Sequence, residues 1–300
     1  MQIQNTTNEN RAESRYFEFP LAEKKVLVTR PGMSGKAFAQ KLAALGAKPI
    51  ILPFIEIIDP DSWQELDSAI NNLSLYQWIF FASANAVNSF MKRLGQNSKA
   101  KNLKEEQKLP KIGVLGNSTA NALTEFDIAA NYCPVSFSAE DFVQEFPDYP
   151  HNLTDIRILW PRTNIGSDLI KEKFSVAGAK IDTVTAYKTV LPKNIAQLQK
   201  QFILLIENKE IDVLTIANKQ TAINIAELLR KEIIRRNLAL SNLAEKDLLA
   251  HIRRFFDDIL IVTIGPESAQ GALNYLGKAN IEANPHTVDG MIEALVAYYQ

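Results

Sequence analysis

The sequence predicts an α/β protein made of two tandem copies of one unit, each a mostly parallel sheet covered by helices. Three observations carry this prediction. A chain of 300 residues is long enough for about two domains. Short apolar runs alternate with amphipathic stretches, as strands alternate with crossover helices. The chain also repeats itself in register. Leu27-Val-Thr-Arg-Pro-Gly-Met-Ser-Gly-Lys, leading to Gly46-Ala-Lys, is matched 132 positions later by Leu159-Trp-Pro-Arg-Thr-Asn-Ile-Gly-Ser-Asp, leading to Gly178-Ala-Lys. Phe80-Phe-Ala-Ser-Ala-Asn faces Thr215-Ile-Ala-Asn-Lys-Gln at a spacing of 135. Leu115-Gly-Asn-Ser-Thr-Ala faces Ile264-Gly-Pro-Glu-Ser-Ala at 149, a spacing that Ser138-Ala-Glu and Thr287-Val-Asp keep. Matches in the same order along a chain mark a duplication. The jump from 135 to 149 places an insertion in the second copy, in the charged segment after Leu229.

In the first copy, strands are expected at 25–29, 48–58, 78–82 and 111–115, with a short one near Ala130. In the second they are expected at 157–160, 180–190, 212–216 and 260–263, with a short one near Ile281. The helix at 36–45 ends at Gly46, a residue suited to the left-handed conformation that closes many helices. Segments 49–59 and 180–192 exceed the usual strand of about five or six residues. The connection between the two bodies is therefore expected there. Segment 230–254, rich in both charges, reads as a solvated helical insert.

Composition excludes several classes of function. Thirty-three Lys plus Arg against thirty-four Asp plus Glu leave no basic excess for nucleic acid. No apolar run approaches the length of about 20 residues that spans a bilayer, so no membrane partner is expected. Residues 1–23 are polar and read as a disordered or loosely packed extension, without the apolar stretch of a secretion signal or the character of a transit peptide. Cys133, the single cysteine, cannot form an intrachain disulfide or a cysteine metal site. A cytoplasmic location is expected. His151, His251 and His286 lack metal-ligand spacing, so no metal site is predicted. Gly32-Met-Ser-Gly35-Lys36 lacks the spacing of a phosphate loop, and neither a G-x-G-x-x-G fingerprint nor a G-x-S-x-G elbow occurs.

In open α/β sheets, ligands collect outside the carboxyl ends of the strands. Those ends read Thr29-Arg30-Pro31, Ser83-Ala84-Asn85, Gly116-Asn117-Ser118-Thr119, Pro161-Arg162-Thr163-Asn164, Asn218-Lys219 and Gly265-Pro266-Glu267-Ser268. Small hydroxyl and amide residues at predicted helix starts serve as N-caps. The same helix starts expose N–H groups that bind carboxylates, so six such mouths can hold a polyanion without net positive charge. Tyr187, in Thr185-Ala-Tyr-Lys-Thr-Val near the end of a long strand, has two readings. It packs in the core, or its hydroxyl acts as a general acid.

These motifs together resemble the uroporphyrinogen-III synthase family. The resemblance runs from about residue 24 to the C-terminus through Val26-Leu-Val-Thr-Arg-Pro, Leu45-Gly, the Pro53 segment, Phe81-Ala-Ser-Ala-Asn-Ala-Val, Gly116-Asn-Ser-Thr-Ala, Ala186-Tyr-Lys-Thr and Ile264-Gly-Pro-Glu-Ser-Ala. It implies two flavodoxin- or Rossmann-like domains joined by a two-stranded connection, with a cleft between them. One domain would be 24–53 plus 191–300, and the other 54–190. It also implies a hydro-lyase of heme and tetrapyrrole biosynthesis, working as a monomer and free of cofactors. Its substrate would be hydroxymethylbilane, a linear tetrapyrrole with eight carboxylates. The reaction is cyclisation with loss of water and inversion of the terminal ring through a spiro intermediate.

By the same resemblance, Tyr187 assists departure of the hydroxyl. Arg30, Ser83, Asn85, Asn117, Ser118, Thr119, Arg162, Asn164, Asn218, Lys219 and Ser268 are the expected substrate-binding residues. The chain departs from the family pattern at Ala217-Asn218, commonly Thr-Ser, and at Glu267, commonly Thr. Asn218 still donates hydrogen bonds and Lys219 can pair with a carboxylate. Glu267 suits the helix dipole but repels a bound carboxylate. A different class, a non-catalytic two-lobed protein that clamps a small polyanion, fits the duplication equally well.

Overall fold

Strand residues with consecutive apolar side chains are buried on both faces, which is the burial pattern of a parallel sheet covered by helices. In Trp78–Phe81, Trp78 and Phe80 enter one core cluster and Ile79 and Phe81 enter another. Val26 and Val28 likewise face away from Leu27. The computed structural model describes residues 19–97, 109–135, 138–147, 149–151, 153–237 and 244–300.

The chain divides into two units, one of residues 1–56 with 190–300 and one of 57–189. The first contains β1 (Lys25–Val28), β2 (Lys48–Ile51), β8 (Val213–Ile216), β9 (Leu260–Thr263) and β10 (Ile281–Glu282), in the order β10-β9-β8-β1-β2. The second sheet has the order β3-β7-β6-β4-β5, from β3 (Glu56–Ile58), β4 (Trp78–Phe81), β5 (Lys111–Val114), β6 (Arg157–Thr163) and β7 (Lys180–Val190). Pairings within both sheets are parallel along β1–β2, β1–β8, β8–β9, β4–β5, β4–β6 and β6–β7.

In the first unit, α7 (Ile195–Glu207), α8 (Lys219–Arg236), α9 (Glu245–Arg254) and α10 (Pro266–Leu276) cover one face; α1 (Gly32–Ala44) and α11 (Val288–Tyr299) cover the other. In the second, α2 (Gln64–Asn71), α3 (Ala84–Gln96) and α4 (Asn117–Thr124) oppose α5 (Ala139–Gln144) and α6 (Leu169–Val176). The α5/α6 face is aromatic: the Phe80 ring meets Phe142 at 4.9 Å and Phe174 at 5.2 Å, edge to face. Such packing adds roughly 0.5–1.5 kcal/mol per pair beyond burial.

The duplication has physical content in the hydrogen bonds. Gly46 and Gly178 close α1 and α6 with φ of +87° and +96°. Ser138 and Thr287 cap α5 and α11 through their side chains. Asn131 and Asn280, a pair 149 residues apart, each accept a backbone N–H through Oδ1 at 2.8 Å, from Ile112 and Ile261.

Several expectations need correction. Strand 48–58 is two strands, because Leu52–Ile55 leaves the ladder at Pro53, which lacks the N–H a continuing strand needs. Phe54 is fully buried there, and the Asn224 side chain donates to its carbonyl at 2.8 Å. The strand near Ala130 reduces to an isolated bridge between Gly113 and Tyr132. Strand 157–160 runs on to Thr163, and α1 begins at Gly32 rather than 36. Of the expected extension, 1–18 lies outside the described residues, but 19–23 forms a turn with Leu21 fully buried and bonded to the Leu45 carbonyl. The charged insert is helical, yet it contributes Ile233 and Ile252 to the core, between Leu229 and Phe256 at its borders. Residues 238–243 of that insert lie outside the described residues.

Glu232 anchors the polar side of the insert. It accepts from Arg235 at 2.8 and 2.6 Å and from Arg236 at 2.7 Å, with its own side chain only 7% exposed. These bonds pull its carboxyl from 4.5 down to about 2. The stabilisation is therefore present above pH 4.5 and lost as pH falls toward 2. We expect Glu232→Gln to destabilise the protein by about 1–2 kcal/mol at neutral pH, since the arginines are solvent-screened. In acid titrations of stability, the gap between the two proteins should close across that window.

Candidate active site

Both sheets reverse strand order once. In the first unit the chain runs from β1 to β2 on one side, and β8 lies on the other, so the switch point falls between β1 and β8. In the second the corresponding point lies between β6 and β4. Crevices at such points are where open α/β sheets bind ligands.

At the second switch point the structure gathers a row of hydroxyls. Ser83 follows β4 in extended conformation and caps α3, its Oγ accepting from the Ala86 N–H at 3.2 Å. That Oγ lies 3.0 Å from the Tyr187 hydroxyl. Tyr187 is 6% exposed, with its ring in the apolar cluster of α2, α3 and α4. Thr163, at the end of β6, pairs with Tyr187 in the ladder. Its Oγ1 is 3.1 Å from Thr189 Oγ1 and donates to Asn164 Oδ1 at 3.1 Å. Burial raises the Tyr187 phenol above its ordinary range, while hydrogen bonding from Ser83 and Thr163, and the Arg162 charge, pull it back. The phenol thus stays protonated at neutral pH, and the groups around its oxygen favour the phenolate once a proton leaves.

The core and general-acid readings of Tyr187 are both satisfied by one side chain, since the ring packs and the hydroxyl joins the polar row. Asn164 accepts the Thr189 N–H at 2.8 Å as well, so its oxygen is committed inside the protein. Arg162 is committed too. It pairs with Asp168 at 2.5 Å, donates to the Ser167 carbonyl at 3.0 Å and stacks on Trp160 at 4.3 Å. The expected helix start at 161–164 is absent, because β6 continues through Thr163 and the next helix begins at Leu169.

On the neighbouring strand end, Gly116 caps α4, with Asn117 and Ser118 exposed and Thr119 buried. Asn85 lies in the first turn of α3. In the first unit, Ser268 is buried and its hydroxyl is used by the Gly265 carbonyl and N–H, which it bonds at 2.8 and 3.1 Å. Asn218 caps α8 through Oδ1, accepting from the Gln220 N–H at 2.7 Å, and Lys219 beside it is exposed. Arg30 flanks the same switch point. Among the described residues no acid or hydrogen-bond acceptor pairs with its side chain, and burial lowers its pKa. A desolvated cation without a counter-charge is costly and is ready for an anion.

Sequence reasoning placed Thr163 at a strand end but gave neither it nor Thr189 a role toward Tyr187, which comes from ladder register between strands. Among the described residues, no three His, Cys, Asp or Glu side chains group as metal ligands would, and no helix is long and apolar enough to cross a membrane.

The family model described as uroporphyrinogen-III synthase HemD matches residues 36–293. The chain belongs to the uroporphyrinogen-III synthase family. It is 30% identical over 280 residues to the uroporphyrinogen-III synthase of Synechococcus elongatus, an alignment covering 93% of this chain and 96% of that one. In fold it matches a crystal structure of a mutant uroporphyrinogen III synthase from Thermus thermophilus, with TM-score 0.60 and 13% identity, covering 93% of this chain and 100% of that one. It also matches the uroporphyrinogen-III synthetase of Helicobacter pylori, at TM-score 0.52 and 14% identity, over 92% of this chain and 99% of that one. Its activity is that of the family, a hydro-lyase of tetrapyrrole biosynthesis.

The two repeat-related arginines should separate in thermal unfolding. Arg162→Gln is expected to lower stability by about 1–3 kcal/mol through lost charge-assisted bonds. Arg30→Gln is expected to leave the melting temperature unchanged or raise it, because it removes an unpaired, desolvated charge. Equal losses in both would show that Arg30 has an internal partner.

Proposed function

We propose that Tyr187 is the general acid in a cofactor-free cyclisation of hydroxymethylbilane, at the carboxyl end of the β6/β4 switch point. The observation that carries this reading is a buried phenol whose oxygen faces the Ser83 hydroxyl at 3.0 Å. Because Ser83 Oγ already accepts the Ala86 N–H, its own proton is free to point at the phenol oxygen. The phenol proton is then free to point at the substrate. As it passes to the substrate's hydroxyl, the carbon–oxygen bond breaks, water leaves and the negative charge stays on Tyr187 between hydroxyl donors.

Ring inversion then depends on how the linear chain is held. Positioning a flexible reactant supplies catalysis by removing orientational freedom before the bond forms. Arg30 and Lys219 offer charge to the substrate carboxylates. Asn117, Ser118 and Asn85, in the first turns of α4 and α3, offer amide, hydroxyl and backbone N–H donors of the kind helix starts present to anions. Asn218 contributes its free amide nitrogen at the β1/β8 switch point. Arg162 and Asn164 act in this reading through the structure they hold rather than by direct contact, and so do the buried Ser268 and Thr119. The reading takes the protein to work as a monomer.

Turnover of hydroxymethylbilane with analysis of the product isomer tests the proposal. Tyr187→Phe should lower kcat by about 10²-fold, the lower end for loss of a general acid, with little loss of stability because the ring is retained. Since the phenol lies above its ordinary value of 10, no loss of activity from its ionisation is expected below that pH. A product lacking the inverted ring would favour the non-catalytic polyanion clamp instead. A large fall in melting temperature with normal turnover would leave Tyr187 as a packing residue.

A further inference from the structure

We propose that Thr163 is a positioning residue for the Tyr187 hydroxyl, brought opposite it by a bulge in the β6–β7 ladder and held by Asn164 and Thr189. This rests on the reading of Tyr187 as the general acid.

Register is the first part of the argument. From Arg157↔Lys180 to Arg162↔Thr185 the pairing advances one residue for one, and then Thr163 pairs with Tyr187. Without that shift Thr163 would face Ala186 and strict alternation would turn Tyr187 to the other face of the sheet; with it, Tyr187 joins Val184 and Ala186 in one apolar cluster. Ala186 is the extra residue, and it is fully buried. Bulges re-aim single side chains in this way, often beside active sites.

Proton inventory is the second part. The Thr163 hydroxyl has one proton and two acceptors within hydrogen-bond distance, Asn164 Oδ1 at 3.1 Å and Thr189 Oγ1 at 3.1 Å, while Tyr187 faces it across the ladder. Asn164 Oδ1 keeps the Thr189 N–H at 2.8 Å whichever way that proton turns. Thr189 is 8% exposed, so its hydroxyl has little water to turn to. In the resting state Thr163 donates to Asn164. As negative charge grows on the phenol oxygen, Thr163 turns its proton to Tyr187 and accepts the Thr189 proton in its place. No bond forms or breaks; two O–H groups rotate.

Two variants and two readouts test this. Steady-state kcat and KM are measured with hydroxymethylbilane, and Tyr187 is titrated by NMR on protein labelled with ¹³C at tyrosine Cζ, its signal assigned by its loss in Tyr187→Phe. Thr163→Val should lower kcat about tenfold, the scale of one neutral hydrogen bond. KM should stay within about twofold, and the onset of phenolate formation should move to higher pH. Thr163→Ser should restore both. Thr189→Val should move both in the same direction by less, and it serves alone if Thr163→Val does not fold. An unchanged Tyr187 titration in Thr163→Val, with or without a loss of kcat, overturns the proposal and leaves Thr163 structural. If instead Tyr187→Phe retains full turnover, the general-acid reading fails, whatever the titration shows.

Discussion

Strands buried on both faces leave almost nowhere to put chemistry except their ends. In the inner strands β1, β8, β9 and β4 the apolar residues between strand start and strand end are committed to clusters on one side or the other. The buried polar groups among them stitch the sheet together: Thr29 Oγ1 donates to the Thr215 carbonyl at 2.6 Å, and Thr215 Oγ1 donates to the Leu27 carbonyl at 2.9 Å. At the amino-terminal edge of the second sheet, Asp182 gathers Tyr76 and Arg157 at 2.6–2.9 Å. That network holds strand starts. The carboxyl ends are where side chains such as Ser83, Asn85 and Arg30 gain access to solvent.

The duplication supplied the same parts twice, and local partners then gave them different work. Arg30 and Arg162 occupy one repeat position. Beside Arg162, Gly166 at φ +121° turns the chain so that Asp168 and Ser167 reach the guanidinium, and the indole of Trp160 lies under it. A side chain on residue 166 would come within 3.1 Å of Arg162. After Arg30 the chain enters a helix directly at Gly32, with Pro31 ahead of it and no acid in the first turn. The same residue type is a strut in one copy and, among the described residues, a charge without a partner in the other.

Much of this was legible in the sequence because it depends on local chemistry. Most of the strands follow from apolar runs between turn residues. Ser83 and Asn218 read as caps and are caps. The illegible parts depend on pairing between distant segments. Pro53 marks the break in the strand, but nothing near it announces that Phe54 inserts beside Phe202, with ring centroids 5.0 Å apart. Nothing near Arg162 announces that Thr163 skips Ala186 to face Tyr187. The charged insert misled for a related reason: its average composition is polar, whereas Ile233 on α8 and Ile252 on α9 each turn inward to the core.

Tyr187 joins these themes. A general acid must be oriented, and a phenol has no charge with which to orient itself. Here the ring is held by the same apolar cluster that stabilises the sheet, alongside Phe81, Val87 and Val184. The cost of that burial is a weaker acid. Hydroxyls are well suited to offset it. They stabilise the phenolate as it forms without placing a permanent charge in the apolar surroundings. A lysine in their place would bring a permanent charge and pull the phenol toward ionisation before the reaction. The row of serine and threonine at the β6/β4 ends is thus the arrangement that keeps a buried tyrosine both neutral before the reaction and able to lose its proton during it.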